Sequence, residues 1–293
     1  MKKVFIVLVL TFSALLARVD VAVTYSYLAA VTESIGGEHV KVTVLSSPKQ
    51  DPHFVVPKPS LISRLSRADM LVINGGGLEI GWLPPLLERA NNPKINPGRA
   101  GFVDVSRVVD TIEKSEAVSR AYGDVHPEGN PHFYIDPHNI VPIATLIEHK
   151  LEIVDPLHKN DYAANLKRFL DRWQKFLKRF DARMEKCRGM KVVQYHELYN
   201  YFLKRYGIVS VGTIEPLPGI APGSKHTLEL IASMKEKGVK TILQDPYHEK
   251  RTARFIAAKT GARVVVLPHD LGAVEGSGTL ESFYETYAER LCR

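Results

Sequence analysis

The sequence predicts an α/β fold: two parallel-sheet βα lobes joined by one long rigid helix. Two observations carry that expectation. Short β-branched runs alternate with helical patterns in both halves of the chain, the cadence of parallel sheets built from crossover units. Between the halves lies one stretch, from about Asp155 to Lys186, with a single apolar stripe and no Gly or Pro between Pro156 and Gly189.

The elements follow in order. Val19 to Val23 reads as a strand, and Tyr25 to Ile35 as a helix closed by Gly36-Gly37. Val40 to Leu45 is a second strand, Ser60 to Ser66 a short helix, and Met70 to Asn74 a third strand ending in Gly75-Gly76-Gly77. Phe102 to Val105 is a fourth strand. In the central stretch Tyr162, Leu166, Phe169, Leu170, Trp173, Phe176, Leu177 and Phe180 recur three and four residues apart, the mark of an amphipathic helix. At 1.5 Å per residue it would span on the order of 40 Å, too long for the inside of one compact domain but suited to joining two. The βα pattern then resumes: strands at Lys191 to Tyr195, Val209 to Thr213, Lys240 to Gln244 and Ala262 to Leu267. Helices follow them up to Tyr206, from Lys225 to Lys237, from Glu249 to Thr260 and from Leu280 to Leu291. The expected organisation is a leader at 1–17, an N-terminal lobe at 18–154, a linker helix at 155–188 and a C-terminal lobe at 189–293.

Composition bounds the class. The chain has 293 residues, 45% hydrophobic and 24% charged, which excludes a disordered or fibrous protein and supplies enough apolar material for two cores. The formal charge is +7, but signs alternate along segments such as Lys167-Arg168-Phe169-Leu170-Asp171-Arg172. That pattern describes a solvated surface, so no nucleic-acid partner is expected. The two cysteines, Cys187 and Cys292, form no CxxC pair, which excludes a thiolate zinc finger.

Met1-Lys2-Lys3, the apolar run Val4 to Leu10 and the small residues up to Ala17 have the basic–apolar–small layout of a secretory signal. The apolar part falls short of the ~20 residues a permanent span requires. No cysteine lies near the cut, so a lipid anchor is not expected; the mature chain is expected in the periplasm, as a soluble monomer. In that oxidising compartment Cys187 and Cys292 are able to pair if their Cα atoms come within about 7 Å.

The chain has 11 histidines. His39, His149, His158 and His226 lie in or beside helices among polar neighbours and read as solvated. His53, in Asp51-Pro-His, and His132, in Asn130-Pro-His, follow strands of the first half; His196 directly follows the strand ending at Tyr195; Asp270 follows Pro268-His269 beyond the last strand. In open parallel sheets ligands bind outside the carboxyl ends of strands. Imidazoles and a carboxylate from both halves would converge across a cleft, and four such ligands complete a tetrahedron around a borderline divalent ion.

The motifs together resemble the metal-specific solute-binding proteins of bacterial ABC importers, the zinc and manganese group that includes ZnuA- and TroA-like proteins. The landmarks are Asp51-Pro-His53, Ala68-Asp69 leading to Asn74-Gly75-Gly76, and Gly129-Asn-Pro-His132-Phe-Tyr-Ile-Asp-Pro137. His196-Glu197 before Tyr201-Phe202, Ile214-Glu215-Pro216, Pro218-Gly219-Ile220 and Pro268-His269-Asp270 complete the set. The resemblance covers essentially the whole mature chain. It implies an ion held between two lobes by His53, His132, His196 and Asp270, and delivery to an inner-membrane ABC permease.

Manganese-type members of the group tend to carry glutamate at the third ligand position, where this chain has His196. Three imidazoles and one carboxylate favour Zn2+, with Mn2+ the alternative. The fourth ligand stays open among Asp270, His269 and a water. His126 is a candidate capture ligand with a plain loop residue preferred; His248 is a further candidate ligand with a surface reading preferred, and His138 reads as a helix-start residue. A different class, a secreted zinc hydrolase with Glu197 as base, also stays open, although neither HExxH nor GxSxG occurs. The sequence offers nothing for or against a surface adhesin.

Overall fold

The computed structural model describes residues 18–114, 126, 128–217 and 219–292; the expected leader at 1–17 lies outside them. Two parallel four-stranded sheets organise the chain. The first contains β1 (Val19–Val23), β2 (Val40–Val44), β3 (Met70–Ile73) and β4 (Phe102–Asp104), in the order β2-β1-β3-β4. The second contains β5 (Lys191–Gln194), β6 (Val209–Thr213), β7 (Thr241–Gln244) and β8 (Arg263–Val266), in the order β6-β5-β7-β8. The two orders are one topology used twice: the first strand of each half lies between the second and the third. The chain thus leaves the first strand in one direction and returns on its other side, opening a crevice at the strand ends.

In the first half, α1 (Ser26–Gly36) follows β1, and α2 (Pro59–Leu65) and α3 (Leu83–Ala90) flank β3. α4 (Ile140–Val154) closes the lobe. The sequence pattern did not yield α3 or α4. Both carry proline in the first turn, Pro84 and Pro85 in α3 and Pro142 in α4. There the missing N–H has no intrahelical partner to lose, so proline starts a helix rather than breaking it.

α5 (Lys159–Met184) is the predicted long helix, 26 residues and about 39 Å, with a 3-10 turn at each end. Its buried face is Tyr162, Phe169, Trp173, Phe176, Leu177, Phe180 and Met184. That face packs on α1 and α4 of the first half and on α9 (Leu280–Leu291) of the second. Trp173 stacks on Phe176 at 4.7 Å, meets Tyr284 of α9 at 5.7 Å, and donates its indole N–H to Pro137 O at 3.0 Å. The largest apolar core therefore runs through both halves. At about 1.5–3 kcal/mol per buried large side chain, peeling α5 from either lobe is costly, so it acts as a spine. A Cys187–Cys292 disulfide, Cα atoms 5.5 Å apart, ties the end of this spine to the end of α9. The remaining helices are α6 (Asn200–Tyr206), α7 (Ser224–Glu236) and α8 (Arg251–Thr260). Among the described residues no helix is long and apolar enough to cross a membrane.

Candidate metal centre

His53 lies in the loop after β2, and the backbone in front of it is clamped. The Pro52 carbonyl accepts from Tyr25 Oη at 3.0 Å and from Trp82 Nε1 at 3.2 Å. One oxygen of Asp51 takes both the His53 backbone N–H, at 2.9 Å, and the ring Nδ1, at 2.8 Å. That fixes the proton on Nδ1 and leaves Nε2 as a lone pair; this atom is buried and has no hydrogen-bond partner. Burial pushes the Asp51 carboxyl up, but the hydrogen bonds and charge of His53 outweigh it, and the group ionises below its ordinary range.

His132 opens a 3-10 turn over Phe133–Ile135. Its N–H donates to Asn130 Oδ1 at 2.9 Å, while Asn130 Nδ2 reaches across to Glu197 O of the second half at 2.8 Å. Pro131 O is held by Asn74 Nδ2 at 3.0 Å, from the loop after β3. Glycine is required in that loop at position 75: φ is +75°, and a Cβ would come within 1.8 Å of Asp104 Oδ1. Burial, followed by the neighbouring imidazoles of His53, His196, His126 and His269, holds the His132 pKa well below 6.5, so the ring stays neutral and able to ligate.

His196 immediately follows Tyr195 at the end of β5. Its Nδ1 pairs with Glu215 Oε2 at 2.8 Å, which again directs Nε2 inward. Glu215 arrives through strand register. β5 pairs with β6 so that Gln194 faces Thr213, and just beyond the strands Glu215 N donates to Tyr195 O at 3.0 Å, which brings Glu215 beside His196.

The three rings enclose one point. Their centroids form a nearly equilateral triangle, 5.2, 5.6 and 5.4 Å on the sides, with planes crossed at 78°, 77° and 84°. One nitrogen from each lies within 4.8 Å of the others, and His132 Nε2 is 3.3 Å from His196 Nε2. Two nitrogens bound at 2.0–2.1 Å in a tetrahedron stand about 3.3 Å apart. His132 and His196 are buried, and the His53 side chain is 9% exposed. Among the described residues this is the one group of three or more His, Cys, Asp or Glu side chains close enough to share an ion.

Asp270 is placed differently. It follows β8, but its carboxylate accepts backbone N–H groups of Ser26 at 2.7 Å, Tyr27 at 2.9 Å and Leu271 at 2.8 Å, and it is not in the histidine group. A side chain of the second half thus caps the first turn of α1 in the first half. Burial raises its pKa to about 6 despite those donors. His269 is buried with its pKa lowered to about 4 by desolvation, and is also outside the group. His126 lies beside the site, its ring stacked 5.5 Å from that of His53, with burial lowering its pKa to about 3.

The other histidines divide. His138 pairs with Asp181 at 3.1 Å, just before α4. His39 and His158, read as solvated, stack on each other at 3.9 Å and pair with Asp161 and Asp155. His248, read as surface, is 22% exposed and lies 3.4 Å from Glu215. Asp51 and Glu215 were visible in the sequence only as parts of motifs; their role as ring partners required the loop geometry and the β5–β6 register.

The family model for the periplasmic zinc-uptake complex component A, ZnuA, matches residues 21–292. The manganese ABC transporter substrate-binding lipoprotein PsaA of Streptococcus pneumoniae is 27% identical over 247 residues, covering 78% of this chain and 77% of PsaA. The high-affinity zinc uptake system protein ZnuA of Bacillus subtilis is 26% identical over 258 residues, covering 85% and 78%. A crystal structure of ZnuA superposes with a TM-score of 0.77 at 26% identity, covering 93% of this chain and 99% of that one. The family consists of extracytoplasmic substrate-binding proteins, not enzymes, and nothing supports a hydrolase. The chain belongs to the ZnuA family, the metal-binding substrate-binding proteins of ABC importers.

Proposed function

We propose that this protein captures a single Zn2+ between His53, His132 and His196 and delivers it to an inner-membrane ABC permease. The observation that carries the reading is the convergence of three imidazole nitrogens within 4.8 Å, two of them backed by carboxylates. A hydrogen-bonded carboxylate orients a ligating imidazole and raises its basicity. An all-nitrogen triad favours Zn2+ over Mn2+, which prefers oxygen and stands lower in the affinity order. The Mn2+ alternative comes from the manganese relative, and competition tests it.

In this reading Asp270 latches the lobes and does not ligate. The expected leader at 1–17 exports the chain to the periplasm, where it acts as an unlipidated monomer with lobes at 18–154 and 189–293 around the linker at 155–188. A spine packed on both lobes, closed by a disulfide, opposes wide lobe rotation, so release proceeds by movement of the ligand loops. The test is elemental analysis of purified protein with competition between Zn2+ and Mn2+. One zinc per chain, not displaced by excess manganese, supports the proposal. Displacement by equimolar manganese, or no stoichiometric metal, defeats it.

A further inference from the structure

His248 belongs to no group assigned so far, yet it lies at the centre of a chain of contacts that ends on an ion ligand. β6, β5 and β7 are neighbours, and just past their ends lie Glu215, His196 and Asp245. Asp245, wholly buried at the end of β7, takes the His248 backbone N–H at 2.8 Å and its ring Nδ1 at 2.8 Å. The other ring nitrogen, Nε2, faces Glu215 Oε1 at 3.4 Å, an ion pair when the ring carries both protons; burial disfavours that charge, but Asp245 and Glu215 outweigh it and raise the His248 pKa. The second oxygen of Glu215 holds His196 Nδ1 at 2.8 Å. The His248 ring lies against Tyr195 at 4.4 Å and Tyr247 at 4.6 Å, which fixes its plane.

We propose that His248 is a positioning residue of the ion site: anchored by Asp245, it holds the Glu215 carboxylate in the orientation that keeps His196 Nε2 turned toward the ion. The inference rests on the three-histidine reading above. The three ligands are supported unequally. His53 has Asp51 two residues away on the same loop, and His132 Nδ1 has no partner. Only His196 depends on a carboxylate brought from another strand, and that carboxylate is in turn held by His248.

The test uses the mature chain carrying His248→Leu, which keeps bulk but no donor, and His248→Gln, which keeps an N–H toward Glu215; His196→Ala is the control. Zinc affinity is read by competition with a chromophoric chelator, and site geometry by the visible absorption of the Co2+-loaded protein. Loss of the direct partner of a ligating imidazole typically costs 10–100-fold in metal affinity, and His248 lies one contact beyond that partner. The expected result is therefore a loss at the lower end, about tenfold, in His248→Leu with an altered cobalt spectrum, and recovery of most of the affinity in His248→Gln. If His248→Leu does not fold, His248→Ala takes its place against His248→Gln. Wild-type affinity and an unchanged cobalt spectrum in the donor-less variant overturn the inference, as does an equal loss in both variants, which marks mere packing. A wild type that takes up no zinc, or a His196→Ala variant that binds like wild type, defeats the ion-site reading and this inference with it.

Discussion

Replacing Asp270 by alanine strands three backbone donors at once, Ser26 N, Tyr27 N and Leu271 N, now 2.7, 2.9 and 2.8 Å from its oxygens. A buried donor left without a partner costs about 1–3 kcal/mol, so the gross loss is about 3–9 kcal/mol. Against this, the substitution removes a carboxylate whose pKa burial raises from 3.8 to about 6, a difference that opposes folding by about 3 kcal/mol at neutral pH. The net expectation for the zinc-free protein at pH 7.5 is a loss of about 3 kcal/mol. The pH dependence adds a signature. Because the folded-state pKa lies above the unfolded one, the contribution of Asp270 is complete below the unfolded value and is lost as pH rises through the folded value. Wild type therefore gains about 2 kcal/mol between pH 7.5 and pH 4.5 that the alanine variant does not, and the gap between them widens in acid. Urea unfolding of both zinc-free proteins at the two pH values, followed by the fluorescence of Trp82 and Trp173, measures it. Equal stabilities at both pH values, together with a hundredfold loss of zinc affinity, would refute the latch and make Asp270 a ligand.

The disulfide closes a loop of sequence separation 105, so a Cys187→Ser/Cys292→Ser variant should lose about 4–5 kcal/mol in denaturant unfolding; equal midpoints with and without reductant would contradict this. In the zinc-free protein His132 should stay neutral at pH 5.5, where an exposed histidine is mostly protonated, because burial and its imidazole neighbours lower its pKa. An NMR titration of its ring with a midpoint near 6.5 would show that reading to be mistaken.

Much of this molecule is legible in one dimension because its signals are local. Buried parallel strands announce themselves as β-branched runs, and α5 as a stripe of apolar side chains repeated over seven turns. What local signals mislead about is the meaning of proline, which at Pro84, Pro85 and Pro142 starts a helix. His196 was legible because it follows a strand and βα topology puts strand ends at the crevice; His53 and His132 lie further along their loops and stood out by the prolines in front of them. Asp270 also follows a strand, but the N-terminus of α1 offers its carboxylate two N–H groups from the other half of the chain. That contact appears only when the halves are assembled. Glu215 and His248 depend on which strands are neighbours, which spacing along the chain does not specify. The Cys187–Cys292 pair is likewise a product of packing, with α5 and α9 lying side by side.

X-ray absorption at the zinc edge of the protein loaded with one equivalent of Zn2+ tests most directly whether His53, His132 and His196 share an ion. The expected result is a nitrogen/oxygen shell at about 2.0–2.1 Å with the outer-shell scattering of three imidazoles and no sulfur, reduced to two imidazoles in His53→Ala. A spectrum showing one imidazole or none, or one that His53→Ala leaves unchanged, would contradict it.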